Sequence, residues 1–242
     1  MSEIKIEEID TVILCGGLGT RLKDLAKDLP KPMVDIHGQP FLDILINYAS
    51  SFGLKRFILC SGYKAEVISK YYSEKRDGIE YVFSKEEFPL GTGGALVNAT
   101  KLIRSKVFLG LNGDSICQVN LKNFYNFHLS KKAKASVALT SADDPGDYGC
   151  ITMNENHEIN QFNEKSTFKP DGNLINTGIY LIDRDLIKSF PSNKKLSLEY
   201  DIFPEFTKKT LHGYIDNAQL FDIGTPERLN KLKEHFQPKD SR

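Results

Sequence analysis

Apolar and polar residues alternate in blocks along the first half of the chain, and the blocks change period. Thr11–Cys15 (TVILC) is a short, β-rich apolar run that stops at glycines. The next block, PFLDILINYASSF, puts Leu42, Leu45, Ile46 and Ala49 at i, i+3, i+4 and i+7, the stripe of an amphipathic helix. Pro40 suits its first turn, where a missing N–H is harmless. Arg56–Cys60 (RFILC) predicts a second strand. AEVISKYYSEK predicts a second helix with Val67, Ile68, Tyr71 and Tyr72 on one face, and EYVF a third strand. GTGGALVNATKLI opens a third helix out of a glycine loop. Lys106–Asn112 (KVFLGLN) is a continuous apolar run that ends at GDS, as suits a central strand buried on both faces. Strand–helix alternation from Thr11 to Asn112 predicts a parallel sheet with right-handed crossovers.

The second half is less regular. ASVALT, GCITM, INQF, INTGIYLID, GYI and QLFDIG have strand character, while SLEYDIFPEFTKK and TPERLNKLKEHF have helical character. No repeat, low-complexity tract or linker long enough to separate domains interrupts the chain. The expectation is one α/β domain over residues 1–242, its later strands extending or lidding the sheet. Three polar clusters follow predicted strands: GGLGTR, GDS and DIG. Ligands of open α/β sheets bind outside the carboxyl ends of the strands, so this spacing already locates a site.

Composition narrows the classes. The chain has 242 residues, 40% hydrophobic and 26% charged, with 32 basic and 32 acidic side chains. A net charge of zero argues against a nucleic-acid partner. No apolar run reaches the ~18 residues of a membrane span, and the polar start MSEIKIEEID is no signal peptide, so a cytoplasmic, membrane-free protein is expected. Four widely spaced cysteines in apolar runs read as buried free thiols. Five histidines without HExxH or Cys/His clustering leave zinc unsupported.

The stretch LCGGLGTRLKDLAKDLPKPM carries the chemistry. Gly16, Gly17 and Gly19 let backbone N–H groups approach an anion, and Thr20 adds a hydroxyl. The loop fits neither GxGxxG, because Leu22 stands where the third glycine belongs, nor the P-loop pattern. As an isolated feature it is weak evidence, since a plain turn after a strand also reads this way. Arg21 and Lys31 change the balance: arginine offers a planar fork for phosphate, and lysine a compact charge between Pro30 and Pro32, which stiffen its backbone. Lys23 and Lys27 read as surface charges.

Leu14–Leu22 with Pro30–Pro32 resembles the signature of the sugar-phosphate nucleotidyltransferases, [LA]-x-G-G-x-G-[TS]-R-[LM] followed by P-K-P, with Cys15 in place of a frequent alanine. Later motifs fall in the family order over nearly the whole chain. The resemblance implies a Rossmann-like (GT-A-type) three-layer α/β/α domain with a mixed, mostly parallel central sheet. It implies a nucleotide-binding half over 1–115 and a sugar-phosphate half over 116–242. It also implies Arg21 and Lys31 as catalytic cations, and Leu14, Gly16, Gly17, Gly19 and Thr20 at the nucleotide. EEFPLGTGGA resembles the second nucleotide loop, with Gly91 and Thr92 near base or ribose. Thymidylyl and uridylyl members carry glutamine where this chain has Glu86. A carboxylate only accepts hydrogen bonds, which matches the adjacent N1–H and N2–H of guanine and not the carbonyl-flanked N–H of a pyrimidine. The resemblance further implies Asp114 of LNGDS and Asp222 of FDIGTPE as Mg²⁺ ligands. FNEK supplies Glu164 for a sugar hydroxyl and Lys165 for the sugar phosphate. DPGDYG places Tyr148 and Gly149 at the sugar, NTGIY adds Asn176, and SLEYDIFP adds Glu199. For Tyr148 and Glu199 a purely structural role reads as well.

The implied substrates are GTP and a sugar 1-phosphate. LPKPMVDIHGQPFLDIL and the short chain are similar to the D-glycero-α-D-manno-heptose 1-phosphate guanylyltransferases. Mannose 1-phosphate guanylyltransferases, which often carry a C-terminal extension, and glucose 1-phosphate cytidylyl-, uridylyl- or thymidylyltransferases are the alternatives. A non-catalytic regulatory subunit is disfavoured because Arg21, Lys31, Asp114, Lys165 and Asp222 are all kept. Tyrosine- and phenylalanine-bearing segments suit a core or a homo-oligomer interface equally.

Overall fold

In the computed structural model, which describes residues 5–16, 29–142, 148, 150–163, 173–207 and 210–237, the first apolar run forms strand β1 (Thr11–Leu14), all four residues buried. A 3-10 turn at Lys31–Met33 and the two-residue strands β2 (Asp35–Ile36) and β3 (Gln39–Pro40) lead to helix α1 (Phe41–Ser50). Leu42, Leu45, Ile46 and Ala49, the predicted stripe, are buried on it. Strand β4 (Arg56–Ser61), helix α2 (Ala65–Ser73), strand β5 (Glu80–Lys85), helix α3 (Gly91–Ala99) and strand β6 (Val107–Asn112) continue the alternation. On α2 the buried face is Ala65, Ile68 and Tyr72. Tyr71, expected on that face, sits at its margin and donates to Asp43 Oδ2 at 2.7 Å.

The second half contributes β7 (Ser115–Cys117), α4 (Leu121–Ser130), β8 (Ala135–Ser141), β9 (Cys150–Met153), β10 (Ile159–Asn163) and β11 (Leu174–Asp183). Then come α5 (Arg184–Lys188), β12 (Leu211–Ile215), β13 (Leu220–Asp222) and α6 (Pro226–His235). Two findings differ from expectation. SLEYDIFPEFTKK is not one helix but a π-turn, Leu198–Ile202, followed by a 3-10 turn, Phe203–Phe206. Pro204 has no N–H for a continuing helical ladder, which explains the break. Helix α4 was not anticipated, although Leu121, Phe124, Tyr125 and His128 stand at helical spacing and are buried. The intervening polar residues mask that stripe, and Asn120 caps it by accepting from Asn123 N at 3.0 Å.

The main sheet runs β10-β9-β11-β6-β1-β4-β5, with β8 on β11 and β12 on β8. The first-half block is parallel: β1 pairs β4 and β6, and β4 pairs β5. β11 enters antiparallel against β6, making the sheet mixed. Successive strand residues point to opposite faces, so Ile13 joins one core and Val12 and Leu14 the other. One face packs under α1, α2, α4 and α6, through residues such as Leu45, Ile68, Phe124 and Leu232. The other packs under α3, α5 and the 196–203 segment, through Leu96, Ile187 and Phe203. All four cysteines are free and buried.

Asp10 locks the amino end of the block. Its carboxylate takes Arg56 Nη1 at 2.6 Å and Ser105 N at 2.9 Å. Burial works against the charge, but the bonds from Ser105, Arg56 and Arg104 outweigh it and hold the carboxyl below its usual range. The carboxyl ends of β1, β4, β5 and β6 are thereby left together at the opposite edge.

Candidate active site

The turn after β6 lies directly on the end of β1. Gly113 N donates to Leu14 O at 3.0 Å. A Cβ on Gly113 would stand 2.6 Å from that same oxygen, so only glycine permits the approach. The turn delivers Asp114, and β7 starts at once. β13 pairs antiparallel with β7, setting Asp222 opposite Ser115. Ile223 N donates to Asp114 O at 3.0 Å. Two aspartates remote in sequence thus end adjacent strands at one edge.

They open on a cleft of about 200 Å³ lined also by Lys31, Asn112, Tyr148, Asn176 and Arg228. Lys31 reaches it from the 3-10 turn capped by Pro30, with Pro32 and Met33 buried beneath. Its Nζ donates to Asp114 Oδ2 at 2.6 Å. Asp222 Oδ1 accepts from Gly224 N at 2.7 Å, and Oδ2 accepts the Tyr148 hydroxyl. Asn176 accepts from Gly178 N and donates to the Tyr180 hydroxyl, both at 2.9 Å. Tyr180 is wholly buried; burial, then the Glu199 charge, pushes its phenol far up, so it serves as a neutral anchor. Gly178, at φ +77°, lets β11 pass the Asn112 side chain, which a Cβ would strike at 2.8 Å.

Glu86 marks a second region, past the end of β5. Its N–H donates to Ser61 O at 2.9 Å, and its Oε2 accepts from Leu90 N at 2.9 Å. Its Oε1 lies over Gly16, 3.0 Å from where a Cβ would be. A Cβ at Gly16 would crowd this carboxylate. Burial raises the Glu86 carboxyl above its ordinary range, and the Leu90 N–H limits the rise. Each carboxylate oxygen has two lone pairs, so the bond to Leu90 leaves acceptor capacity for a ligand.

Other expected residues carry protein contacts. Leu14 is 8% exposed, its side chain in the core and its carbonyl on Gly113. Gly91, at φ +70°, would put a Cβ 2.5 Å from Leu196 O, and Gly93 N and Gly94 N both donate to Leu196 O. Thr92 Oγ1 donates to Glu199 Oε2 at 3.1 Å and accepts from Leu198 N at 2.9 Å. Glu199 Oε2 also takes the Ser197 hydroxyl at 2.8 Å. This glycine loop thus docks the 196–199 segment onto α3, a job that the expectation of a ligand loop did not foresee. Gly17, Gly19, Thr20, Arg21, Gly149, Glu164 and Lys165 lie outside the described residues.

Asn112 and Arg228 are among the lining residues that had not been singled out. Asn112 immediately precedes GDS, and its Oδ1 is buried with no hydrogen-bond partner among the described residues. Arg228 lies on α6; its signal was a cation in the first turn of a helix.

Asp114 and Asp222 offer hard oxygen donors at one edge of the cleft. Among the described residues no group of three or more His, Cys, Asp or Glu gathers as a metal site. Two carboxylates fit Mg²⁺, which keeps waters and phosphate oxygens for the rest of its octahedron, better than they fit an all-protein cage.

Comparison with known proteins gives a concordant result. Residues 10–238 match the family described as Nucleotidyl transferase. The D-glycero-alpha-D-manno-heptose 1-phosphate guanylyltransferase of Campylobacter jejuni is 38% identical over 223 residues, spanning 90% of this chain and 96% of that protein. The enzyme of the same name from Aneurinibacillus thermoaerophilus is 34% identical over 230 residues, 95% of this chain and 99% of its own. Among solved structures, HddC from Yersinia pseudotuberculosis complexed with GMP-PN superimposes with a TM-score of 0.83 at 36% identity, covering 95% of this chain and all of that one.

Proposed function

This chain belongs to the nucleotidyl transferase family, and we propose that it transfers a guanylyl group from GTP to D-glycero-α-D-manno-heptose 1-phosphate, giving a GDP-heptose and pyrophosphate. The observation that carries the guanine assignment is the half-buried Glu86 carboxylate poised over Gly16. An acceptor-only group suits the paired N1–H and N2–H of guanine. The heptose assignment rests on the two relatives of that activity, both matched over nearly their full length.

A phosphate oxygen of the sugar 1-phosphate attacks the α-phosphorus in line, the bond from the α-phosphorus to the oxygen that bridges it to the β-phosphorus breaks, and pyrophosphate leaves with that oxygen. The nucleophile is already an anion near neutral pH, so no general base is needed. The protein's task is to position two mutually repelling anions and to neutralise the charge that shifts to the leaving group. Lys31 takes the phosphates from a braced backbone. Arg21 serves the leaving pyrophosphate and Lys165 the sugar phosphate. Asn176, fixed by Tyr180 and Gly178, and Glu164 take sugar hydroxyls. Tyr148 holds Asp222 in place. When bound, Mg²⁺ held by Asp114 and Asp222 supplies Lewis-acid neutralisation and a template for the phosphates.

The test is pyrophosphate release across the four NTPs and a panel of sugar 1-phosphates, with and without Mg²⁺. GTP with the heptose 1-phosphate is expected to give the highest kcat/KM. Preference for UTP or dTTP overturns the Glu86 argument, and preference for mannose 1-phosphate overturns the sugar. Arg21→Ala should lower turnover and Asp222→Ala should blunt the Mg²⁺ dependence; full activity in either removes that role.

A further inference from the structure

Helix α6 departs from the charge pattern of its own sequence at one position. Lys233 and His235 occupy its last turn and Glu227 its first, as the helix dipole favours. Arg228 also stands in the first turn, with its N–H on the capping Thr225 Oγ1 at 3.3 Å. A glutamate or glutamine would ordinarily complete the cap there. A local rule broken without local compensation points to a role elsewhere.

The side chain supplies that role. Arg228 Nη1 lies 3.3 Å from Asp222 Oδ2 and 3.5 Å from Oδ1. Its guanidinium carbon sits 4.8 Å above the Tyr148 ring centre, and the hydroxyl of that ring donates to the same carboxylate. A planar cation stacked on an aromatic face is held in orientation as a lysine would not be. Asp222 is only 10% exposed at its side chain, so the guanidinium's field is weakly screened. A fixed cation here orients the carboxylate. It also repels any second cation that approaches the same oxygens.

We propose that Arg228 is a positioning residue for Asp222 that competes with the divalent ion for this carboxylate and so weakens the affinity of the protein for the bare ion. The inference rests on Asp114 and Asp222 being the metal ligands, as proposed above. Its consequence is a preference for an ion that arrives with the triphosphate, whose negative charge offsets the guanidinium.

The experiment is binding of Mn²⁺ alone to the full chain, followed by loss of the free-ion EPR signal, for wild type, Arg228→Met, Arg228→Gln, Arg228→Lys and Asp222→Asn. Thermal melting checks that each variant is folded. Both neutral variants should bind Mn²⁺ roughly tenfold more tightly, the scale on which outer-shell partners move metal affinity. Arg228→Lys, which keeps the charge but loses the stacking that fixes it, should fall between wild type and the neutral variants. A purely structural arginine predicts the opposite sign, because loosening Asp222 weakens the site. Unchanged or weaker binding in either folded neutral variant overturns the proposal, as does a lysine variant that binds like the neutral ones. Wild-type binding that survives Asp222→Asn undiminished instead overturns the assignment of the ligands.

Discussion

Replacing Gly113 by alanine tests the contact that brings Asp114 to the cleft. The new Cβ would lie 2.6 Å from Leu14 O, 3.1 Å from Leu14 C and 3.2 Å from Cys15 Cα, whereas ordinary contact begins at 3.4 Å. These are backbone atoms of the central strand, held by β4 on one side and β6 on the other, so the turn must give way. Overpacking of this kind costs about 1–3 kcal/mol, and losing the Gly113 N–H bond to Leu14 O adds about 1 kcal/mol. For a chain of this size, a loss of roughly 2–4 kcal/mol lowers Tm by about 4–16 °C. Relief of the overlap moves the turn by the better part of an ångström and carries Asp114 with it. Displacement by about 1 Å costs on the order of 100-fold in turnover. Gly110→Ala is the control in the preceding strand, because its Cβ would meet Tyr180 Cδ2 at an ordinary 3.5 Å. Differential scanning fluorimetry and pyrophosphate release measure the two effects. A Gly113→Ala protein that melts and turns over like wild type, or a Gly110→Ala protein that is equally damaged, would refute a steric role for this contact.

Three further outcomes are expected. Glu86→Gln should lower kcat/KM for GTP at least roughly tenfold by removing a charged acceptor and narrow the gap to UTP; because burial raises the Glu86 carboxyl above 4.5, KM for GTP should climb as acidification protonates it in wild type but not in the variant. His128, 2% exposed and bonded through Nδ1 to Ser136 Oγ at 2.8 Å, is pushed by burial from 6.5 to about 4. The unfolded chain therefore binds the extra proton first, and stability present above pH 6.5 should fall by about 3 kcal/mol as pH drops to 4; urea melts at several pH values should show this slope, flattened in His128→Asn. Asp43→Ala should cost roughly 2–4 kcal/mol, since its carboxylate takes the Tyr71 and Tyr72 hydroxyls at 2.7 Å and Lys75 Nζ at 2.8 Å; a chemical-denaturation shift under about 1 kcal/mol would show that water replaces those bonds freely.

Most of the first half was legible in the sequence, because local periodicity and burial coincide there. β1, α1, β4, β5, α3 and β6 all follow blocks whose period matches one face of the sheet or helix. The run KVFLGLN announced a strand buried on both sides, and β6 does lie between two cores. The motifs after the strands also pointed to the carboxyl edge, since glycine, proline and charge clusters there are local signals. The same locality explains the misses. Helix α4 hid its stripe among polar residues, and Pro204 divided a periodic segment that looked continuous.

What a residue touches is not a local property. The spacing of Gly91, Thr92 and Gly93 suggested a ligand loop, and folding also brings Leu196–Glu199 onto those atoms. Gly16 looked like one more phosphate-loop glycine, and folding also sets the Glu86 carboxylate 3.0 Å from where its Cβ would be. Lys31 and Asp114, and Asp222 with Tyr148 and Arg228, are joined by strand pairing and helix docking across long stretches of chain. The amino acids themselves determined the strand–helix order, the reaction class suggested by their motifs and the edge of the sheet that bears the charges. Only tertiary structure decided which of those charges meet, because the pairing of β7 with β13 and the seating of α6 are set by burial over the whole sheet.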